Sequence, residues 1–312
     1  LPLMACLSVS MLLPALGTSI ANVALPTLAK AFDAPFQAVQ WIVLAYLLAI
    51  TTLVVSVGRL GDLVGRRRLM LAGIMLFTAG SALCGATPWL AGLIAARAVQ
   101  GLGAAIMMAL TMAFASDVVS KEKTGSVMGL LGTMTAIGTA LGPTLGGGLI
   151  AVAGWQSLFL LNVPLGLLAL SLAWRYLPPD QKAGKAGFDL QGALALAMAV
   201  AVYALAMTGS GGGFGVMNAL LLGFALVAGA MFLRRQAKAA SPLIRLDLFR
   251  QRVLSAGVAT NALVATVMMT TLVVGPFYLA GALGLSPARV GLAMSCGPLV
   301  ACLLYTSPSP RD

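Results

Sequence analysis

The chain has 312 residues, of which 60% are hydrophobic and only 9% charged, and its formal net charge is +11. Ordinary soluble domains carry about 25% charged residues, so a water-soluble fold of this length could not cover so much apolar surface. With a mean hydropathy of +1.00, the composition defines a polytopic membrane protein. The basic excess lies in short segments between apolar runs, where membrane topology explains it better than nucleic acid does.

Several chemistries are excluded at once. The chain has no histidine, which removes imidazole acid–base catalysis and the commonest metal ligand. Its four cysteines, Cys6, Cys84, Cys296 and Cys302, lie in or beside apolar runs without metal or redox spacing and read as small packing residues. No Gly-x-x-x-x-Gly-Lys-Ser/Thr loop is present, so nothing supports ATP-driven work. The expectation is a protein that is not an enzyme and holds no cofactor and no metal.

A spanning helix needs roughly 20 apolar residues. The first run, 3–26, begins almost at Leu1 with no basic leader, and the chain reads as cropped at this end. Asn22 in this run is a candidate cavity residue. The second run, 39–57, opens near Trp41, an expected interfacial anchor, as is Trp89 at the start of the fourth run. Between the second run and the third, 69–86, lies Gly58-Arg-Leu-Gly-Asp-Leu-Val-Gly-Arg-Arg-Arg68. Read as a short loop, it combines three glycines, which permit tight turns, with four arginines and Asp62. That aspartate can accept from an arginine fork or a helix N-terminus.

The fourth run, 89–114, contains Arg97, about 12 Å from its start at ~1.5 Å per residue. An arginine at mid-span costs roughly 2.5–3.5 kcal/mol on insertion scales, so it should face protein or water. Gln100, Gly101, Ala104 and Met108 follow at helical spacing and give one polar and small face. In the fifth run, 125–152, Gly138, Gly142 and Gly146 repeat every four residues. This smooth face lets another helix approach closely. Pro143 invites a kink, and Gly147 and Gly148 follow. The sixth to ninth runs are 157–174, 190–208, 216–233 and 254–280. A tenth starts near Val290 and stops at Leu304, too short to cross, and 303–312 reads as a non-native tail.

Alternate connections, 58–68, 115–124, 175–189 and 234–252, hold fifteen of the nineteen basic residues. By the positive-inside rule these face the cytoplasm, and so does the N-terminus. The eight acidic residues, Asp33, Asp62, Asp117, Glu122, Asp180, Asp189, Asp247 and Asp312, fall in connections or the tail. No apolar run contains a carboxylate.

Several of these segments carry a resemblance. Gly-x-Leu-x-Asp-x-x-Gly-Arg-Arg over 58–67 resembles the connection between helices 2 and 3 of the major facilitator superfamily of secondary transporters. Leu93-x-x-x-Arg97-x-x-Gln100-Gly101-x-Gly103 resembles its helix-4 motif. Gly138-x-x-x-Gly142-Pro143-x-x-Gly146-Gly147 resembles the helix-5 antiporter motif of its exporters. Leu16–Pro26 resembles its helix-1 motif, except that Gly17 stands where the family commonly has Asp. The layout of six spans, a two-helix hairpin and the most basic connection resembles the fourteen-helix drug/proton antiporter branch. Trp155–Gly166, Phe188–Gly192 and Pro242–Arg250 resemble that branch as well.

The resemblance implies an all-α major facilitator fold. It has an N-terminal six-helix bundle (1–174), connections and linker helices 7–8 (175–252), helix 9 and a partial helix 10 of a C-terminal bundle (253–302), and the tail, with later helices missing. It implies proton-coupled export of drug-like or amphipathic molecules by alternating access. Arg97, Gln100 and Asn22 would line the cavity or couple protons. Gly58, Asp62, Gly65, Arg66 and Arg67 would form a cytoplasmic gate. Gly138, Gly142, Pro143, Gly146 and Gly147 would form the antiporter motif. Expected partners are the lipid bilayer of the cell membrane, a small-molecule substrate and protons, with no nucleic acid; a periplasmic adaptor protein stays open. Transport of a small, even anionic, metabolite and a non-transporting receptor on the same fold are the alternatives.

Overall fold

A computed structural model describes residues 2–118, 124–180, 190–208, 215–238 and 251–306. Among these, regular structure is entirely helical. The physical reason is the solvent: inside a bilayer every backbone N–H and C=O must be satisfied within its own segment or in a closed barrel. The helices are α1 (Pro2–Ala31), the short α2 (Phe36–Val39), α3 (Trp41–Val64), α4 (Arg66–Ala86), α5 (Leu90–Val118) and α6 (Thr124–Ala153). They continue with α7 (Gln156–Leu160), α8 (Asn162–Tyr176), α9 (Leu190–Thr208), α10 (Val216–Lys238), α11 (Arg252–Gly281) and α12 (Pro287–Thr306). Nine segments of the described residues are long and apolar enough to cross a membrane, matching the nine runs read from hydropathy.

One expectation changes. Residues 58–64 are not a loop: α3 runs unbroken to Val64, and the only non-helical residue before α4 is Gly65, at φ +105°. Nothing between Gly58 and Val64 is a helix breaker other than isolated glycine. The tenth run is longer than its apolar stretch, because α12 starts at Pro287, a favoured first helical residue, and spans 20 residues. It is not among the nine spanning segments of the described residues. Residues 303–306 of the expected tail continue α12, and 307–312 lie outside the described residues.

The first six spans pack into one body, with α5 against α3 and α4, α1 against α6, and α4 against α8. Its interior has two apolar clusters. One, around Leu7, Met70, Phe77, Leu110 and Phe114, lies toward the arginine-rich end. The other, around Ile20, Leu25, Ile42, Leu93 and Phe159, lies toward the opposite end. Lipid tails are as apolar as leucine, so van der Waals fit rather than water exclusion must hold these helices together. Glycine supplies the fit: a Cβ on Gly101 would stand 2.5 Å from the Tyr46 carbonyl oxygen on α3, and one on Gly103 would strike the Phe77 backbone on α4. The hairpin α9–α10 packs mainly on itself, with one contact face on α3. Helix α12 lies along α6, and α11 touches the first body through α1 and an edge-to-face Phe36–Phe277 pair at 4.7 Å.

Candidate functional site

Arg97 is fully buried, and its surroundings show how a cation is tolerated there. Its Nε donates to the Ile42 carbonyl at 3.1 Å, and its Nη1 donates to the Gly17 carbonyl at 3.3 Å and to Gln100 Oε1 at 2.6 Å. The guanidinium lies 4.0 Å from the Tyr46 ring centroid and 5.8 Å from that of Phe159. Gln100 Nε2 passes the chain on to Ser81 Oγ at 2.7 Å, which donates to the Phe77 carbonyl. One side chain thus ties α5 to α1, α3 and, through Gln100, α4. Hydrogen bonds to a charged group contribute about 1.5–3 kcal/mol each. Three of them, with the Tyr46 face, offset an insertion cost of roughly 2.5–3.5 kcal/mol. Arg97 forms no ion pair among the described residues, and its Nη2 has no hydrogen-bond partner there.

Gly17 stands where the resemblance expects an acid, and the structure shows what that position faces. A Cβ there would sit 3.6 Å from the Phe77 ring and 3.7 Å from Tyr46 Oη, ordinary contacts, while the Gly17 carbonyl already accepts from Arg97. Gly17→Asp is therefore expected to fit and to give Arg97 a nearby carboxylate. The variant should shift preference toward cationic substrates, which a competition series of cationic and neutral compounds would measure. An unchanged profile would count against a cavity role. Asn22 is buried, but no hydrogen bond joins it to Arg97 or Gln100, and both its amide atoms lack partners among the described residues.

The second cluster lies at the α3–α4 corner. Arg66 holds Asp62 Oδ1 through Nε at 3.1 Å and Nη2 at 3.0 Å, and its Nη1 pairs with Asp117 Oδ2 at the end of α5. Arg67 Nη2 donates to the Trp174 carbonyl near the end of α8. The backbone N–H groups of Arg67 and Arg68 donate to Asp180 Oδ1 at 2.6 Å and Oδ2 at 3.3 Å. A Cβ at Gly58 would meet nothing within 4 Å, so that glycine is not required by packing. These partners all belong to the first six spans or to the connection after them. Asp62 and Asp117, read from sequence as loop acids, occupy the last turns of α3 and α5. Sequence reasoning missed the pairing of Asp117 and Asp180, which lie 51 and 113 residues from their partners.

The third cluster is α6, which has two bare faces. Gly138, Gly142 and Gly146 lie on α1: a Cβ at Gly138 would stand 2.7 Å from the Leu12 carbonyl oxygen, and one at Gly142 would strike Ser19. Ser19 Oγ donates across this seam to the Thr139 carbonyl at 2.7 Å. Pro143 and Gly147 face α12. A Cβ at Gly147 would meet the Pro287 carbonyl, and one at Gly291 would meet the Pro143 carbonyl. Thr144 Oγ1 and Ser295 Oγ share a hydrogen bond at 2.6 Å.

A bundle of apolar helices, a buried arginine tied between them and an arginine corner at one end define a helical membrane protein of the major facilitator type. The sequence profile of the Major Facilitator Superfamily matches residues 7–309, and the chain belongs to that family. It is 32% identical over 291 residues to the riboflavin transporter RibZ of Clostridioides difficile, covering 93% of this chain and 63% of that protein. It is 35% identical over 297 residues to the multidrug resistance protein Stp of Mycobacterium tuberculosis, covering 94% of this chain and 55% of that protein. The chain thus spans less than two thirds of the length of these relatives. Its fold is similar to that of the xylose transporter XylE from E. coli in a partially occluded inward open conformation. That likeness has a TM-score of 0.59 at 13% identity, covering 97% of this chain and 70% of the other.

Proposed function

We propose that the protein is a secondary active transporter of the cell membrane that exports drug-like or amphipathic small molecules in exchange for protons. The observation that carries this reading is the seam between α6 of the first body and α12, where Gly147 lies against the Pro287 carbonyl and Gly291 against the Pro143 carbonyl, backbone against backbone. A seam of this kind interlocks few side chains, so one bundle can rock against the next, as alternating access requires. The 1–174 segment acts as the first bundle, 175–252 as connections and linker, and 253–302 as the entry to the second bundle. The arginine-rich end faces the cytoplasm, as does the N-terminus. Likeness to a multidrug resistance protein supports the drug-like substrate class.

A second reading, transport of a small metabolite, draws on two observations. One relative is a riboflavin transporter, and no carboxylate stands at mid-span among the described residues. Arg97, the buried charge at mid-span, has no acid beside it among the described residues to attract a cation.

Reconstitution into proteoliposomes separates the readings, with ethidium and riboflavin as probes and a pH-sensitive dye inside. The expected result is ethidium movement with opposite proton flux. Riboflavin movement alone would replace the first reading with the second. Binding of either probe with no flux would reject transport and leave a receptor.

A further inference from the structure

We propose that Asp180 is a positioning residue for transport: it fastens the Gly65–Arg68 corner to the connection that leads from the first bundle to the linker helices. The inference rests on the transporter reading above.

The sequence builds this contact locally. After α8 ends at Tyr176, Leu177 precedes Pro178 and takes an extended conformation, φ −71° and ψ 135°, as a residue before proline must. Pro179 continues the stiff segment, since its ring fixes φ. Asp180 follows directly and lies at the start of α4. There the first backbone N–H groups of a helix have no partner of their own. Both carboxylate oxygens of Asp180 take them, from Arg67 and Arg68.

Gly65 makes the approach possible. At φ +105° it has a backbone that side chains rarely adopt, and a Cβ there would lie 2.5 Å from the Asp180 carboxylate carbon. The carboxylate occupies the space that any other residue would fill. The same corner is hooked a second time, by Arg67 Nη2 on the Trp174 carbonyl. Arg68 Nε stands 3.8 Å from Asp180 Oδ2 on a mostly exposed side chain and adds little.

Four acidic residues occur among the described residues, Asp33, Asp62, Asp117 and Asp180. Three of them converge on this corner. Asp62 and Asp117 bind the Arg66 side chain from within the bundle. Asp180 instead binds backbone, and it sits on the segment that continues toward α9, which packs on α3, the helix that ends at the same corner. Asp180 therefore ties the start of α4 to the segment that follows α8, whereas the Arg66 cluster joins α3, α4 and α5 to one another. The role is positioning, because the hydrogen bonds of Asp180 go to the backbone at the start of α4.

Asp180→Ala, Asp180→Asn and Gly65→Ala are compared in proteoliposomes with whichever of ethidium or riboflavin the wild type moves. Amide hydrogen exchange of the 66–69 segment is measured in parallel. In Asp180→Ala, exchange should rise at least tenfold, and the maximal rate per folded molecule should fall about tenfold with KM within twofold. Asparagine keeps one acceptor and should lie between alanine and wild type. Because the Gly65→Ala methyl displaces the same carboxylate, the double variant should be less impaired than the product of the two single losses.

Unchanged exchange in Asp180→Ala would overturn the contact. Raised exchange with a wild-type rate per folded molecule, or multiplicative losses in the double variant, would overturn the positioning role. A wild type that moves neither probe would reject the transporter reading, and the exchange measurement would still decide the contact.

Discussion

Arg97→Ala is expected to reduce transport at least tenfold while membrane insertion stays within twofold of wild type. Insertion should survive because removing a buried cation lowers the cost of placing α5 in the bilayer, roughly 2.5–3.5 kcal/mol on insertion scales. Transport should fall, because the Arg97 guanidinium joins the Ile42 carbonyl on α3, the Gly17 carbonyl on α1 and the Gln100–Ser81 chain to α4. Its loss also strands Gln100 Oε1 in an apolar interior, a penalty of about 1–3 kcal/mol. Arg97→Lys should rescue little. A single ammonium lacks the planar fork that reaches three acceptors at once while stacking on Tyr46. Initial rates in proteoliposomes, normalised to inserted protein, provide the check. A wild-type rate in Arg97→Ala would remove the residue from the mechanism.

Gly142→Val should damage the α1 face of α6. The added Cβ falls on the Ser19 side chain and stands 2.9 Å from the Ile20 backbone nitrogen, so α6 must retreat from α1. Overpacking of this kind costs about 1–3 kcal/mol, and the retreat also breaks the Ser19–Thr139 hydrogen bond. Gly148 on the same helix is the control, since a Cβ there meets nothing within 4 Å. Gly148→Val should leave the thermal midpoint in detergent unchanged within about one degree, whereas Gly142→Val should lower it by several degrees and stop transport. Equal effects of the two changes would show that helix propensity, not the α1 seam, makes these glycines matter.

Hydropathy reveals the spans well because each apolar run must be a helix once it enters lipid. The 138/142/146 face is legible for a similar reason: an i, i+4 repeat of glycine is a property of one helix. What sequence does not disclose is which element a face meets. Pro143 and Gly147 lie on α12, and only tertiary packing shows it. The arginine corner illustrates the same limit. Asp62 is four residues from Arg66 and could be paired by eye, but Asp117 and Asp180 arrive from α5 and from beyond α8. Charge and glycine make 58–68 look like a loop in the sequence, yet the helical register continues through Val64. Arg97 stands out as a buried charge, yet its fully tied state depends on the Ile42 and Gly17 carbonyls, and no sequence pattern advertises a carbonyl.

The rocking seam can be tested by tying it shut. With the exposed Cys296 replaced by serine, Thr144→Cys and Ser295→Cys place two thiols where the hydroxyls now stand 2.6 Å apart. If α6 and α12 separate during each cycle, oxidation of this pair should abolish probe movement in proteoliposomes, and a reductant should restore it. Full transport by protein shown to be cross-linked would contradict the account.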